Sequence, residues 1–419
     1  MTYENNNYAV INTSRNCSKD IRSTVYLVLF CLLWGGNTTF GYLRAFLSFS
    51  DIFVAAYDFL MYFLILISII CLLKRILYSF AKDFLILIPF LIFYILSAFF
   101  LFSSNVDITL FKDFLFKVFP MYFLGRIIFS DDVFLKKFKK TLCWLSRICV
   151  LLSFAYTMIY YTASGRSWSL MDGMDSSYSV LPSLMFVCFS FAHNKRIVDL
   201  LLSVLGTIEI LALGTRGALL VIIVWAAYCF IFEGTHKKRN LLITITLFAI
   251  FIIGYYSGIF SSIINLMSGL FFDGSYNLTI LDALSNKNIA DDNGRLAIIN
   301  EVYSNIKLNG LIPGGFFSDR IMTSTNSYSH NFFIELLAAF GFALFPFVML
   351  SLIAFFINAI KNAQDAFINR VIFLLLIYEI IKLFLSSSFL LEPLFFLLLG
   401  ICRSTSIFCS KEKRYVMDS

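Results

Sequence analysis

The feature that most constrains this sequence is a series of long apolar runs, each bounded by polar or basic residues, repeated along nearly the whole chain. They fall at 23–42, 52–73, 84–102, 110–129, 141–161, 178–193, 197–213, 217–233, 241–259, 332–359, 370–386 and 390–407. A bilayer's hydrocarbon core is about 30 Å thick and takes roughly 20 apolar residues of helix to cross, so each run is about one crossing long. Lipid offers no partners to backbone polar groups, which leaves helices or closed barrels, and these uninterrupted runs lack the alternation of barrel strands. The expected fold is therefore all-α, a polytopic helical bundle with about twelve transmembrane helices. Composition agrees: 59% of the 419 residues are apolar and 14% charged, which excludes a large soluble catalytic domain.

Charge gives orientation. Basic clusters stand at Arg15, Lys19 and Arg22, at Lys74, Arg75 and Lys82, at Lys136, Lys137, Lys139 and Lys140, at Lys195 and Arg196, at Lys237, Lys238 and Arg239, and at Lys411, Lys413 and Arg414. These are alternate connections, so the positive-inside rule places both termini in the cytoplasm. The polar segment before Ser23 lacks a short apolar core with a cleavage site, and the first span is read as an uncleaved anchor. A net charge of +7 divided among these clusters reports topology, and no nucleic-acid partner is expected. Nine cysteines lie mostly within apolar runs and indicate neither a disulfide framework nor a metal site.

Three regions follow: spans 1–9 with short loops over 1–255, a large outer loop over 256–331, and spans 10–12 with a cytoplasmic tail over 332–419. A loop this long exceeds an ordinary connector and carries turn signals at Asp273-Gly274, Asn293-Gly294, Asn309-Gly310 and Pro313-Gly314-Gly315. Function is expected there.

Of the three histidines, His193 and His236 adjoin inside basic clusters, whereas His330 stands at the outer membrane surface where the loop passes into a helix. Such a residue is either a cap or solvated group, or a neutral imidazole able to take a proton from a hydroxyl. Arg216, in Leu213-Gly214-Thr215-Arg216-Gly217-Ala218, occupies a tight outer turn. It either snorkels to the interface or meets an anionic head group that the flanking glycines allow to approach. Arg295 opens a short amphipathic helix over 294–307, with Asn293 as cap and Leu296, Ile299, Val302 or Tyr303, and Ile306 as its apolar face. A guanidinium in that first turn suits phosphate, though an exposed surface arginine gives the same pattern. Arg320 is a further phosphate or sugar ligand, unless Asp319 balances its charge; Arg44 and Arg166 are weaker outer candidates. Asp291-Asp292 and Asp172 with Asp175 read as caps and turns, and Glu379 with Lys382 as a local pair facing the bundle. No metal and no cofactor is expected, since no Walker loop or dinucleotide fingerprint is present.

Taken in order, Gly214-Thr215-Arg216-Gly217-Ala218, Asn293-Gly294-Arg295-Leu296, Asn309-Gly310 with Pro313-Gly314-Gly315, and Ser329-His330-Asn331-Phe332 with Ala338-Ala339-Phe340-Gly341 resemble the O-antigen polymerase and O-antigen ligase superfamily. The resemblance covers residues 205–345; the first half matches in span count and hydropathy. Leu311-Ile312-Pro313-Gly314-Gly315 replaces the Pro-x-x-Gly-x-Gly type of turn found in many relatives. The resemblance implies a glycosyltransferase on the periplasmic face of the bacterial inner membrane, using undecaprenyl-diphosphate-linked glycans as donor and acceptor. It implies that Arg216 and Arg295 stabilise the departing diphosphate and that His330 activates the acceptor hydroxyl. A chain-length regulator and a flippase are its implied partners. Within the superfamily, a composition rich in Phe, Ile, Asn and Lys favours the polymerase over the ligase that transfers finished polymer to lipid A-core. A flippase would instead concentrate polar residues at mid-membrane in broken helices.

Overall fold

The protein is described by a computed structural model. The structure describes residues 23–28, 30–31, 51–101, 108–129, 132–163, 173–213, 215–232, 237–238, 294–309, 312–363 and 365–417. Among these, every regular element is helical: α1 (Asp51–Leu101), α2 (Ile108–Asp113), which runs through a π-helical turn at Phe114–Val118 into α3 (Phe119–Ile128), α4 (Asp132–Ala163), α5 (Gly173–Asn194), α6 (Ile197–Leu213), α7 (Arg216–Phe232), α8 (Arg295–Asn309), the single turn α9 (Ser318–Ile321), α10 (Phe332–Asn362), α11 (Ala366–Leu385) and α12 (Pro393–Met417). Among the described residues, three helical stretches are long and apolar enough to cross a membrane: Ile69–Phe100, Lys137–Met158 and Phe332–Asn362. The span expected at 241–259, most of that at 23–42, and the loop up to Asn293 lie outside the described residues, as do His236, Arg44, Arg166, Asp172 and Asp291-Asp292.

The first long helix departs from expectation. The runs at 52–73 and 84–102 belong to a single helix of 51 residues, about 77 Å long at 1.5 Å per residue. The interval 74–83 contains lysines and an arginine but neither Gly nor Pro, and basic residues propagate a helix well, so polarity alone does not stop it. The same continuation through basic residues starts α4 at Asp132, nine residues before the run at 141–161, and carries α12 to Met417, ten beyond the run at 390–407, whereas α10 and α11 begin where capping residues stand. Asn331 accepts from the Phe333 and Ile334 amides at the start of α10, and Asp365 does the same for Phe367 and Ile368 at the start of α11.

Packing at the centre depends on small residues. A Cβ on Gly125 of α3 would lie 2.4 Å from the Leu397 carbonyl oxygen, and one on Gly400 of α12 would lie 2.1 Å from that of Tyr122. The two backbones therefore meet through reciprocal glycines, as small-residue faces allow. Around this pair lies an aromatic core in which Phe316 is wholly buried against Phe90, Phe93, Phe340 and Phe389.

Helix α10 breaks at Gly341, whose φ of 65° and ψ of 171° are non-helical. A helix would pair the Ala338 and Ala339 carbonyls with the amides of residues 342 and 343. Instead they accept from Gly314 and Gly315, at 3.1 and 3.0 Å. Gly315 has φ of 91°, and a side chain there would meet Ser97 of α1, whose hydroxyl accepts the Phe316 amide at 2.9 Å. The Pro-Gly-Gly turn thereby docks the loop onto the bundle.

The glycine contact gives a test. Gly400→Val should destabilise by about 1–3 kcal/mol through overpacking and lower the melting temperature of the detergent-purified protein. Leu350→Ala, at an outward position on α10, should leave it unchanged.

Candidate functional site

One end of the bundle gathers the N-termini of α5, α7 and α10, the start of α8 and the C-terminus of α11. The last turn of α11 is its centre. Leu385 accepts a hydrogen bond from Arg295 Nη1 at 2.5 Å, and the Ser386 carbonyl accepts from Tyr328 Oη at 2.6 Å. The Ser386 hydroxyl lies 2.9 Å from Tyr178 Oη. These two carbonyls draw donors from two other segments, as buried helix ends require.

Arg295 is the first residue of α8, which follows Gly294 in the left-handed region at φ 80°. Its Nη2 approaches Met174 Sδ of α5 at 4.0 Å. The apolar face of α8 is narrower than expected: Val302 and Ile306 are buried against Leu337 and Ala338, whereas Leu296 is 60% exposed and Tyr303 faces outward. The helix is held to α10 by one turn of spacing, and its first turn remains open around Arg295.

Arg320 lies in α9. Its guanidinium stands over the Phe317 ring at 5.8 Å and the Tyr328 ring at 5.2 Å, with Nε buried and unpartnered among the described residues. Asp319 does not serve simply as its counter-ion. One oxygen of its buried carboxylate accepts the Ser329 amide at 2.8 Å, fixing the chain just before His330, and burial pushes its pKa up.

His330 has φ of 51°, uncommon for a residue with a side chain, so the Asn331 cap and the Asp319 tether hold it in a strained turn. Its ring lies 3.8 Å from that of Tyr328, and its Nδ1 is buried without a partner among the described residues. Burial lowers its pKa to about 4, assisted by the positive charges of Arg295 and Arg320. Both guanidinium groups are thus electrostatic neighbours of one imidazole, and these three expected site residues come together.

Arg216 is the first residue of α7. Its side chain lies outside what the structure describes, but its neighbour Gly217 packs closely on Tyr178 and Leu385, the residues that flank Arg295. The α7 start therefore adjoins the same α11 turn.

Sequence reading missed the residues that hold this end together. Tyr178, Tyr328 and the Ser386-Ser387-Ser388 run are sequence-distant, and only the serine run, polar in a short turn between two apolar helices, carries a local signal. Lys382 pairs with Glu392 at 2.7 Å, not with Glu379, because the chain reverses after α11 and brings Glu392 back beside it. Glu335, in the first turn of α10, accepts from the Ser388 hydroxyl and from the Phe389 amide.

Chemically, the site offers an imidazole whose Nδ1 is unpartnered among the described residues, two guanidinium groups and aromatic walls. It is suited to an anion and a hydroxyl brought side by side. Comparisons with protein-family models, with curated proteins and with solved structures each give no match.

The depressed pKa sets an expectation for pH. Because His330 titrates near pH 4 when folded and near 6.5 when unfolded, the unfolded chain binds the extra proton between these values. Stability should be full above about pH 6.5 and fall as pH drops towards 4. With three histidines per chain, imidazole NMR of labelled protein can follow the ring directly. It should stay neutral down to about pH 5, and Arg320→Gln should move its titration upward, because a repelling charge is lost.

Proposed function

We infer that this chain is a membrane glycosyltransferase, an O-antigen polymerase that joins undecaprenyl-diphosphate-linked repeat units on the periplasmic face of the bacterial inner membrane. The observation that carries this reading is the meeting of Arg295 and Arg320 around a neutral His330 whose Nδ1 is unpartnered. The resemblance over residues 205–345 supplies the reaction. The finer topology belongs to the same proposal, with the 256–331 loop outside and the C-terminus in the cytoplasm; because two of the twelve expected runs form the single helix α1, twelve separate crossings are not retained.

In the proposed step, the hydroxyl of the incoming lipid-linked unit attacks the anomeric carbon of the growing chain. The bond from that carbon to the diphosphate oxygen breaks, its electron pair leaves with undecaprenyl diphosphate, and His330 takes the hydroxyl proton. Arg295 and Arg320, with Arg216 beside the same turn, stabilise the charge that collects on the leaving group. An imidazole held near pKa 4 is a poor base in the empty site. Burial is the main cause of that low value; diphosphate bound between the two arginines offsets the smaller part that their charges add, so the base gains some strength once the donor is seated. This ordering protects the donor from attack before the site is complete. A chain-length regulator and a flippase are the proposed partners, and undecaprenyl-linked glycan serves as both donor and acceptor.

The test is complementation of a polymerase-deficient strain, with membrane levels checked and lipopolysaccharide displayed on gels. Wild type should restore a ladder. His330→Ala should reduce turnover by about 10²–10⁴-fold and leave core plus one repeat unit, and Arg295→Ala and Arg216→Ala should do the same by about 10²–10³-fold. Intact ladders in all three, at normal membrane levels, remove the site; a wild type that attaches preformed polymer without extending it assigns the chain to ligation.

A further inference from the structure

At the opposite end of the bundle, Asp83 of α1 is fully buried between two arginines. Arg126 of α3 donates to it through Nε at 3.1 Å and Arg403 of α12 through Nε at 2.8 Å, while Tyr122 Oη donates at 2.9 Å. One carboxylate faces two guanidinium groups, so the cluster carries a surplus positive charge. The Arg126 side chain is only 7% exposed, but that of Arg403 is 26% exposed. Arg403 is therefore the cation that a ligand can reach.

Arg403 also lines a cavity of about 540 Å³ between α1, α3, α10 and α12. This falls in the range of small-molecule sites, roughly 300–1,000 Å³. The walls are almost wholly apolar, with Phe90, Phe119, Leu352, Phe355, Phe396 and Leu399 among them. The cavity borders α10 beyond the break at Gly341 and the proline at 346, where Phe347 and Leu350 are 69% and 65% exposed while Ala359 further on is packed in the core. In a membrane this wedge opens sideways to lipid. Depth can be read along α1, where Ser97 meets the docked loop and Asp83 lies 14 residues away, about 21 Å at 1.5 Å per residue. The cluster is thus separated from the His330 end by a large part of a roughly 30 Å hydrocarbon core.

We propose that this cavity binds an anionic phospholipid, with an acyl chain in the aromatic wedge and the phosphate on Arg403. The pairing of features selects the occupant. A neutral lipid leaves the surplus charge uncompensated, and a free anion leaves the apolar walls unfilled. The phospholipid fills one and neutralises the other, wedging α10 against α1 and α12.

The test uses the full chain, delipidated in neutral detergent and offered phosphatidylglycerol or phosphatidylcholine with identical acyl chains, with retained lipid counted by native mass spectrometry. Wild type should retain one phosphatidylglycerol about tenfold or more in preference to phosphatidylcholine. Arg403→Gln, which leaves Asp83 and Arg126 as a neutral pair, should bring the preference close to one, and Arg403→Lys should keep most of it. Leu352→Trp should reduce retention of both lipids by filling the wedge. Equal retention of the two lipids by wild type overturns the proposal, as does an unchanged preference in Arg403→Gln. So does a loss just as large in Lys139→Gln, which would assign the attraction to diffuse basic charge. Displacement by a polyprenyl phosphate to the same extent in wild type and Arg403→Gln would assign the cavity to a chain held without its head group, and also overturns it.

Discussion

A carbonyl stripped of its helical donor in an apolar setting must find another, because leaving it unmet costs free energy comparable to a lost hydrogen bond. That constraint organises this protein. Gly341 interrupts α10 and frees the Ala338 and Ala339 carbonyls, and the amides of Gly314 and Gly315 take them. The end of α11 frees those of Leu385 and Ser386, and Arg295 and Tyr328 take them. Each interruption recruits a segment of the 294–331 region, and between them they fix where His330 and its arginines stand.

The same break bears on the far side as well. The stretch of α10 after it borders a wedge that the aromatic walls of α1, α3 and α12 do not fill. The Asp83 cluster terminates that wedge with a charge. One backbone irregularity thus positions the candidate site at one end and borders an apolar space leading to the other.

The helices were legible because hydropathy and caps are local. The run expected at 197–213 is α6, that at 332–359 is the body of α10, and Arg295 opens α8 as the Asn293-Gly294 signal indicated. The close spacing of Pro313-Gly314-Gly315 and Ala338-Ala339-Phe340-Gly341 was legible as motif, but not as contact, since backbone pairing across 24 residues leaves no side-chain pattern. Continuity of α1 was missed because positive charge was taken for a boundary, whereas Lys and Arg are good helix formers. Lys382 was given the wrong partner because helical spacing to Glu379 is visible in sequence and the reversal that brings Glu392 to it is not. The Tyr328 contact with Ser386 spans 58 residues, beyond the reach of periodicity.

The reciprocal glycines and the Asp83 cluster join the early part of the chain to its last helix, for Asp83 and Arg403 are 320 residues apart. During synthesis at roughly 5–20 residues per second, that interval is on the order of tens of seconds. Over that interval α12 is not yet present to cover the face around Gly125, and Arg403 is not yet present to pair with Asp83. The contacts between α3 and α12 therefore form late, after the helices between them in the chain have been made.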